Sequence, residues 1–416
     1  MGEMGNHQAV CFGGFFSIGI VNLKILDYSV IINIIYQKQE GDDKVMLRAL
    51  RVGLLIERTN RKNLVALLAV AVVVFGMMIF INAQEVGQQI DEKKSDYYNS
   101  RAVLADFQVK DASENGDGSD LFKNLTNQKR SIALEIAGLT MENYPMYYEA
   151  SMRTAELRAE AFDMEDYEKV ADLLPTKLEN TLDYMYFKHL VDSNKQEISD
   201  LSQYLPFLLF IFSIVGFGWY IFISFYTSSI LLDDFEHTSL MKGYPVSFDQ
   251  YIISKCIIAF GYVLAFIALI FICALVRLKN GFGDLDEPVR VFLGEPLIVS
   301  SISYIGRAVL YMIVISIFVM LLSIILNALL KNMYLTLFVH FILFFLPILF
   351  PSLISLLPYN PFNFMSFNDI LAGLPVDLEK STPITMNQGL IILIICIVLM
   401  LFILQRFFST GKIKRA

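Results

Sequence analysis

Six long stretches with almost no charge restrict this chain more than any other feature. Residues 63–82, 204–232, 252–276, 307–330, 333–357 and 389–408 are apolar throughout or nearly so. Each is long enough to cross about 30 Å of hydrocarbon at a rise of about 1.5 Å per residue. Within hydrocarbon each backbone N–H and C=O must find its partner inside the segment, which leaves the helix as the natural solution. Apolar residues make up 55% of the chain and the mean hydropathy is +0.54, above the roughly 45–50% apolar content of soluble domains. The expectation is an all-α polytopic membrane protein. It has six transmembrane helices and a mainly helical extracellular domain between the first and second.

That domain is residues 83–203. It holds 13 Lys and Arg against 24 Asp and Glu, whereas the remainder holds 20 against 17, so the formal net charge of −8 comes from this block. Leu121, Leu125, Ile132, Ile136 and Leu139 recur at helical spacing, and 152–170 and 178–190 continue the pattern. Tyr97, Tyr98, Tyr144, Tyr147, Tyr148, Tyr167, Tyr184 and Tyr186 either line a binding surface or pack helices with their hydroxyls in water. The four cysteines (Cys11, Cys256, Cys273, Cys396) all lie outside the block, so it folds without disulfides. The last three fall in predicted spans as small apolar residues. No basic patch with interleaved aromatics points to nucleic acid.

The N-terminal region is less regular. Asn22, Lys24, Asp27 and Asn33 interrupt the apolar character of 11–36, and no basic leader or small-residue cleavage site marks a signal peptide. Two readings stand for residues 1–45: sequence upstream of a natural start at Met46, or an extra interfacial segment. Residues 46–62 set Leu47, Leu50, Leu54 and Leu55 among Arg48, Arg51, Arg58, Arg61 and Lys62, the pattern of an amphipathic helix at the headgroup level. Lys and Arg near the span ends then fix the orientation. Twelve lie on the side of the termini and five in the opposite short loops. Both termini, the connector 233–251 and the basic tail 409–416 are therefore expected in the cytoplasm, with 83–203, the loop 277–306 and the loop 358–388 outside.

The connector between the second and third spans is polar but patterned. Phe235, Leu240 and Tyr244 share one face of a short helix, Asp233, Asp234 and Glu236 suit its N-terminus, and Gly243 and Pro245 end it. Such a helix is placed to be gripped by a soluble partner; the alternative is a solvated connector. Enzyme chemistry finds no foothold. The sequence has no P-loop, no His-Glu-x-x-His and no Gly-x-Ser-x-Gly, and no Cys/His cluster suggests a metal. Uphill movement would therefore need ATP chemistry from another chain. Within the spans His340 is the ionisable candidate, with Asn327 close in sequence. The pair either marks a pathway or serves one interhelical hydrogen bond. A pathway so poor in charge fits an amphiphile, a lipid-like molecule or a peptide.

In this layout the chain resembles the permease subunits of ABC-2 type ABC transporters. The closest layout is that of the bacterial exporters with a large outer domain after the first span. The resemblance runs from about Met46 to the C-terminus. It rests on the order of parts and on a Glu-x-Thr … Leu … Pro-Val-Ser … Lys pattern carried by Glu236, Thr238, Leu240, Pro245, Val246, Ser247 and Lys255. The stretch Asn360-Pro-Phe-Asn-Phe is similar to the family's outer re-entrant region. What the resemblance implies is a coupling helix at Glu236, Thr238, Leu240, Tyr244, Pro245, Val246 and Ser247. An ABC ATPase subunit would dock there and hold ATP and Mg. A second permease copy or a related permease, and membrane lipids, complete the implied partners in a bacterial cell membrane. Two other function classes fit the same layout: a membrane-anchored sensor or envelope scaffold, and a secondary carrier worked by His340.

Overall fold

The structure, a computed structural model, describes residues 50–51, 53–55, 57–58, 60–84, 89–111, 119–195, 197–198, 200–232, 248–350, 357–374 and 385–409. In chain order the elements are α1 (Arg61–Gln84), α2 (Gln89–Asp111), α3 (Asp120–Thr140), α4 (Tyr144–Ala161), α5 (Lys177–Asp192), α6 (Tyr204–Thr227) and α7 (Phe248–Ala274). After α7 comes a 3-10 stretch, Leu275–Asn280, then a hairpin of β1 (Pro288–Phe292) and β2 (Pro296–Ser300). The chain closes with α8 (Ser301–Leu330), α9 (Met333–Leu349), α10 (Phe367–Ala372) and α11 (Met386–Ser409).

Five of these helices, α1, α6, α7, α8 and α11, are long and apolar enough to cross a membrane, and α9 is a shorter apolar helix. The chain is therefore a multi-pass, predominantly helical membrane protein. Half of the apolar window of α6 and 56% of that of α8 is buried, against 22% for α1 and for α11. So α6 and α8 form the centre, with α1 beside α7 on one flank and α11 against α8 on the other. Trp219, Tyr220, Phe207, Phe212 and Tyr311 fill the middle. Lipid tails are as apolar as these side chains, so the bundle is held by close packing and interhelical hydrogen bonds more than by water exclusion.

Three features differ from the sequence-based expectation. The region 277–306 is not only loop: it contains the antiparallel β1–β2 hairpin, with Val289 opposite Val299 and Val291 opposite Leu297. The fourth apolar helix starts at Ser301, so residues 301–306, expected in the loop before the span, lie inside it. The fifth is 17 residues long and ends at Leu349, where a span reaching 357 was expected, its end kinked or broken by Pro347 and Pro351. Pro347 is inside its last turn, and its ring removes one backbone donor. The stretch 361–372 folds back against the bundle, burying Phe364, Phe367, Ile370 and Leu371. Gly216 on α6 permits this: a Cβ there would stand 2.6 Å from the Asn368 Cβ.

The block between α1 and α6 is helical, as the spacing predicts. Ser119, Asn143 and Thr176 cap α3, α4 and α5 through their side-chain oxygens. Thr176 and Glu179 stand three apart, as in a capping box. The buried face of α3 is half polar. Leu121, Leu125 and Ile132 alternate with Asn124, Gln128, Ser131 and Glu135. The polar members bond across to α4: Asn124 Nδ2 donates to Leu157 O at 3.0 Å and Ser131 Oγ to Ala150 O at 2.9 Å. Glu135 is fully buried. It meets Lys93 Nζ of α2 at 2.8 Å and accepts from the Thr154 hydroxyl of α4. Lys93 also lies over the Phe187 ring of α5 at 5.6 Å. One ion pair thus touches all four helices.

Candidate functional site

The polar residues of the bundle interior converge between α6, α8 and α9. On α8, Ser323 and Asn327 stand four apart; on α9, so do Thr336 and His340. The helices run antiparallel about the Lys331–Asn332 turn. Lys331 takes a left-handed backbone there, and Asn332 caps α9 by accepting from the Tyr334 and Leu335 amides. Two rungs result. Ser323 Oγ lies 2.9 Å from His340 Nε2, and Thr336 Oγ1 donates to Asn327 Oδ1 at 3.0 Å. From α6, Tyr220 Oη lies 2.9 Å from His340 Nδ1, and Thr227 Oγ1 lies 2.7 Å from Ser323 Oγ. All six residues are buried, and Tyr220 stacks on Phe344 at 5.3 Å.

Proton positions follow from this network. Thr227 gives its one hydroxyl proton to Ile223 O at 2.8 Å, so towards Ser323 it accepts. Ser323 then donates to Thr227 and accepts from His340 Nε2–H. His340 Nδ1 is left as the acceptor for Tyr220 O–H. The ring is neutral, protonated on Nε2, with both nitrogens satisfied. Asn327 Nδ2, by contrast, has no partner among the described residues.

No protein-family model, curated protein or solved structure matches the chain.

Two further polar clusters mark the bundle ends. At one end, the segment before α1 meets the C-terminus of α6 and the N-terminal part of α7. Lys62 Nζ donates to Ser229 Oγ at 2.7 Å and Lys255 Nζ to Ile230 O at 3.0 Å. Asn63 Nδ2 donates to Glu57 Oε2 at 2.8 Å. The connector leaves after Leu232 and returns at Phe248 beside this cluster. Its predicted docking residues, Glu236, Thr238, Leu240, Tyr244, Pro245, Val246 and Ser247, lie outside the described residues.

At the other end, the helical block is fastened to the hairpin. Lys195 Nζ meets Asp284 at 2.5 Å and Glu287 at 2.9 Å, and Arg290 of β1 pairs with Asp183 of α5. The Arg290 guanidinium also lies 5.2 Å from the centre of the Tyr186 ring. Burial would lower the Lys195 pKa, but the hydrogen bonds it donates to Asp284 and Glu287 outweigh it and the net direction is up. The Lys195 hydrogen bond and the Asp286 amide hold Asp284 below its ordinary value. Burial, then the Glu287 charge, pushes Tyr186 up to about 12. An open cleft of about 300 Å³ runs along this junction between Lys195 and Phe282.

Of the residues singled out in the sequence, the structure brings Asn327 and His340 into one seam. The seam also contains Tyr220, Thr227, Ser323 and Thr336, which sequence reasoning missed. A usable signal was the repeat of uncharged polar residues four apart, Ser323/Asn327 and Thr336/His340, on two apolar runs joined by a two-residue turn. The Lys93–Glu135 pair had no such signal, because 42 positions separate residues whose meeting depends on helix order.

Proposed function

We propose that the chain is the membrane-spanning permease subunit of an ATP-driven exporter of the ABC-2 type. Its cargo is a peptide, drug or lipid-like amphiphile, and the membrane is that of a bacterial cell. A separate ATPase binds ATP and Mg and grips the connector 233–251 on the cytoplasmic side. A second permease copy or a related permease completes the pathway, and residues 83–203 stand outside.

The observation that supports this reading is the way α6 and α7 join the two ends of the bundle. Residues 233–247 join Leu232, which follows α6, to Phe248 at the start of α7. At the far end the start of α6 is stitched to the chain that follows α7 and its 3-10 stretch: Tyr204 N donates to Gly281 O at 3.1 Å and Leu205 N to Phe282 O at 2.9 Å. Asn280 Nδ2 reaches Ser202 O at 3.2 Å. A push on the connector is thus carried by a paired lever to the base of the helical block. The buried seam adds a firm fulcrum, since a neutral histidine with both nitrogens occupied locks α6, α8 and α9 together.

The test is whether an ABC ATPase co-purifies with the chain from its own cells. Glu236→Lys together with Leu240→Asp is expected to abolish capture while leaving the permease folded. Capture that survives deletion of 236–247 would remove the coupling claim. The fastening of the helical block to the hairpin favours a second reading, a sensor or envelope scaffold that signals through the hairpin into α8. That reading predicts full function in cells lacking the ATPase.

A further inference from the structure

The ion pair inside the helical block supports an inference that does not depend on ATP-driven transport. Lys93 Nζ lies 2.8 Å from Glu135 Oε2 and 5.6 Å from the centre of the Phe187 ring. The Thr154 hydroxyl donates to the same carboxylate, and Tyr147 meets Phe187 edge to face with ring centres 5.8 Å apart. A carboxylate beside an aromatic face is the chemistry that recognises an ammonium. These receiving groups belong to α3, α4 and α5. From α2 come the ammonium itself and Asp96, 3.8 Å from it. The chain's own lysine thus occupies an ammonium site built by the other three helices.

The first half of α2 has little else to hold it. From Gln89 to Ala102 no apolar side chain is buried, Ile90 and Tyr97 being only partly covered. Val103 and Leu104 are the first to go in, beside Leu121 and Leu125 of α3. By contrast α3 buries Leu121, Leu125 and Ile132, and α4 buries Tyr147, Tyr148 and Leu157. Local opening is drawn from segments with few buried apolar contacts. Besides Lys93, the first half of α2 touches the block through Tyr97, whose ring centre lies 5.5 Å from Lys129 Nζ of α3.

We propose that residues 89–102 are an autoinhibitory strap and that the groove beneath them binds a lysine side chain of a cationic peptide. The strap swings about Val103 and Leu104, Lys93 leaves Glu135, and the ammonium of the ligand takes its place over Phe187. One ammonium replaces another, so Glu135 keeps a cation in the closed groove and its burial stays compensated. The block holds 13 Lys and Arg against 24 Asp and Glu, a field that draws a polycation toward it. Lys93 competes with the ligand, so apparent affinity is lowered by the fraction of time the strap is closed.

The experiment uses the full chain in phosphatidylcholine nanodiscs and a fluorescein-labelled trilysine, read by anisotropy. The same peptide with acetylated side chains is the control. Lys93→Met vacates the site and is expected to bind trilysine about tenfold more tightly than the wild type. Lys93→Met with Glu135→Leu removes the acceptor and should bind trilysine no better than Lys93→Met binds the acetylated peptide. At saturation, trilysine should speed amide exchange in 89–102 of the wild type while α4 and α5 stay protected. The proposal is overturned if Lys93→Met gains no affinity, or if the double variant binds as tightly as Lys93→Met. It is equally overturned if bound trilysine leaves the exchange of 89–102 unchanged. Ammonium chloride that displaces trilysine at the same concentration overturns it too, since the site would then take a free cation. Should Lys93→Met fail to fold, Tyr97→Ala decides. It loosens the strap without touching the groove, so it must raise affinity, and unchanged affinity refutes the strap.

Discussion

Replacing His340 by alanine strips partners from two hydroxyls at once, Tyr220 Oη and Ser323 Oγ. In a membrane interior no water is at hand to replace them. The expected loss is on the order of 2 kcal/mol of bundle stability, and about 1 kcal/mol for Ser323→Ala, which takes the acceptor from His340 Nε2–H while Thr227 keeps its bond to Ile223 O. Unfolding titrations in mixed detergent would read both. If His340 served instead as a proton carrier, His340→Ala would leave stability nearly unchanged and abolish gradient-driven flux. A second residue-scale expectation concerns the helical block. Lys93→Met leaves Glu135 charged and buried without its cation, at a cost of about 3–5 kcal/mol. Adding Glu135→Leu removes the stranded charge, so the double variant should melt above the single one. A double variant that melts lower would mean the pair is worth more than an apolar substitute.

At the scale of elements, the parts that could be read from the sequence are those whose signal is local. Long apolar runs announce the spanning helices, and Leu121, Leu125 and Ile132 announce α3. The hairpin escaped because each strand has five residues, too few for alternation to stand out between prolines and glycines. The prolines at 347 and 351 announced a break near the end of α9, but the composition stays apolar past Leu349 and so did not fix the last residue. How α10 sits was equally hidden, for it depends on an approach between residues distant in sequence. Gly373 ends α10 at φ +77°, and a Cβ there would stand 2.7 Å from the Phe292 Cβ and 3.0 Å from Leu178. Gly373→Ala therefore meets both backbone strain and a clash with β1. It should cost about 1–3 kcal/mol, seen as a lower melting temperature and faster amide exchange in the hairpin. Unchanged exchange there would mean that α10 does not brace β1.

For the whole molecule, the question is whether the helical block and the bundle move as one body. The junction ties α5 to β1 through Asp183 and Arg290, and the end of the block to 284–287 through Lys195. β2 runs without a break into α8, whose Ser301 amide donates to Glu287 O at 3.0 Å. The same glutamate thus holds both the lysine of the block and the first residue of the central helix. Asp284 is held below its ordinary pKa by Lys195, so its contribution is present above the ordinary carboxylate range and is lost as pH falls through the lowered value. Lys195 is held above its ordinary value, so its contribution is present at neutral pH and is lost only as strongly basic pH passes the raised value. Docking should therefore be constant across neutral pH and release in acid, and salt should weaken it because Asp284 is half exposed. Spin labels at exposed Tyr98 and Ile302 would report the distance between block and bundle. Lys195→Glu is expected to broaden that distance at pH 7, and adding Asp284→Lys to narrow it again. If the distance is already broad in the wild type, or stays narrow in Lys195→Glu, the junction is not what sets the position of the block. The hairpin could then carry motion from α8 to the block through the contacts of Arg290 with Asp183 and Tyr186.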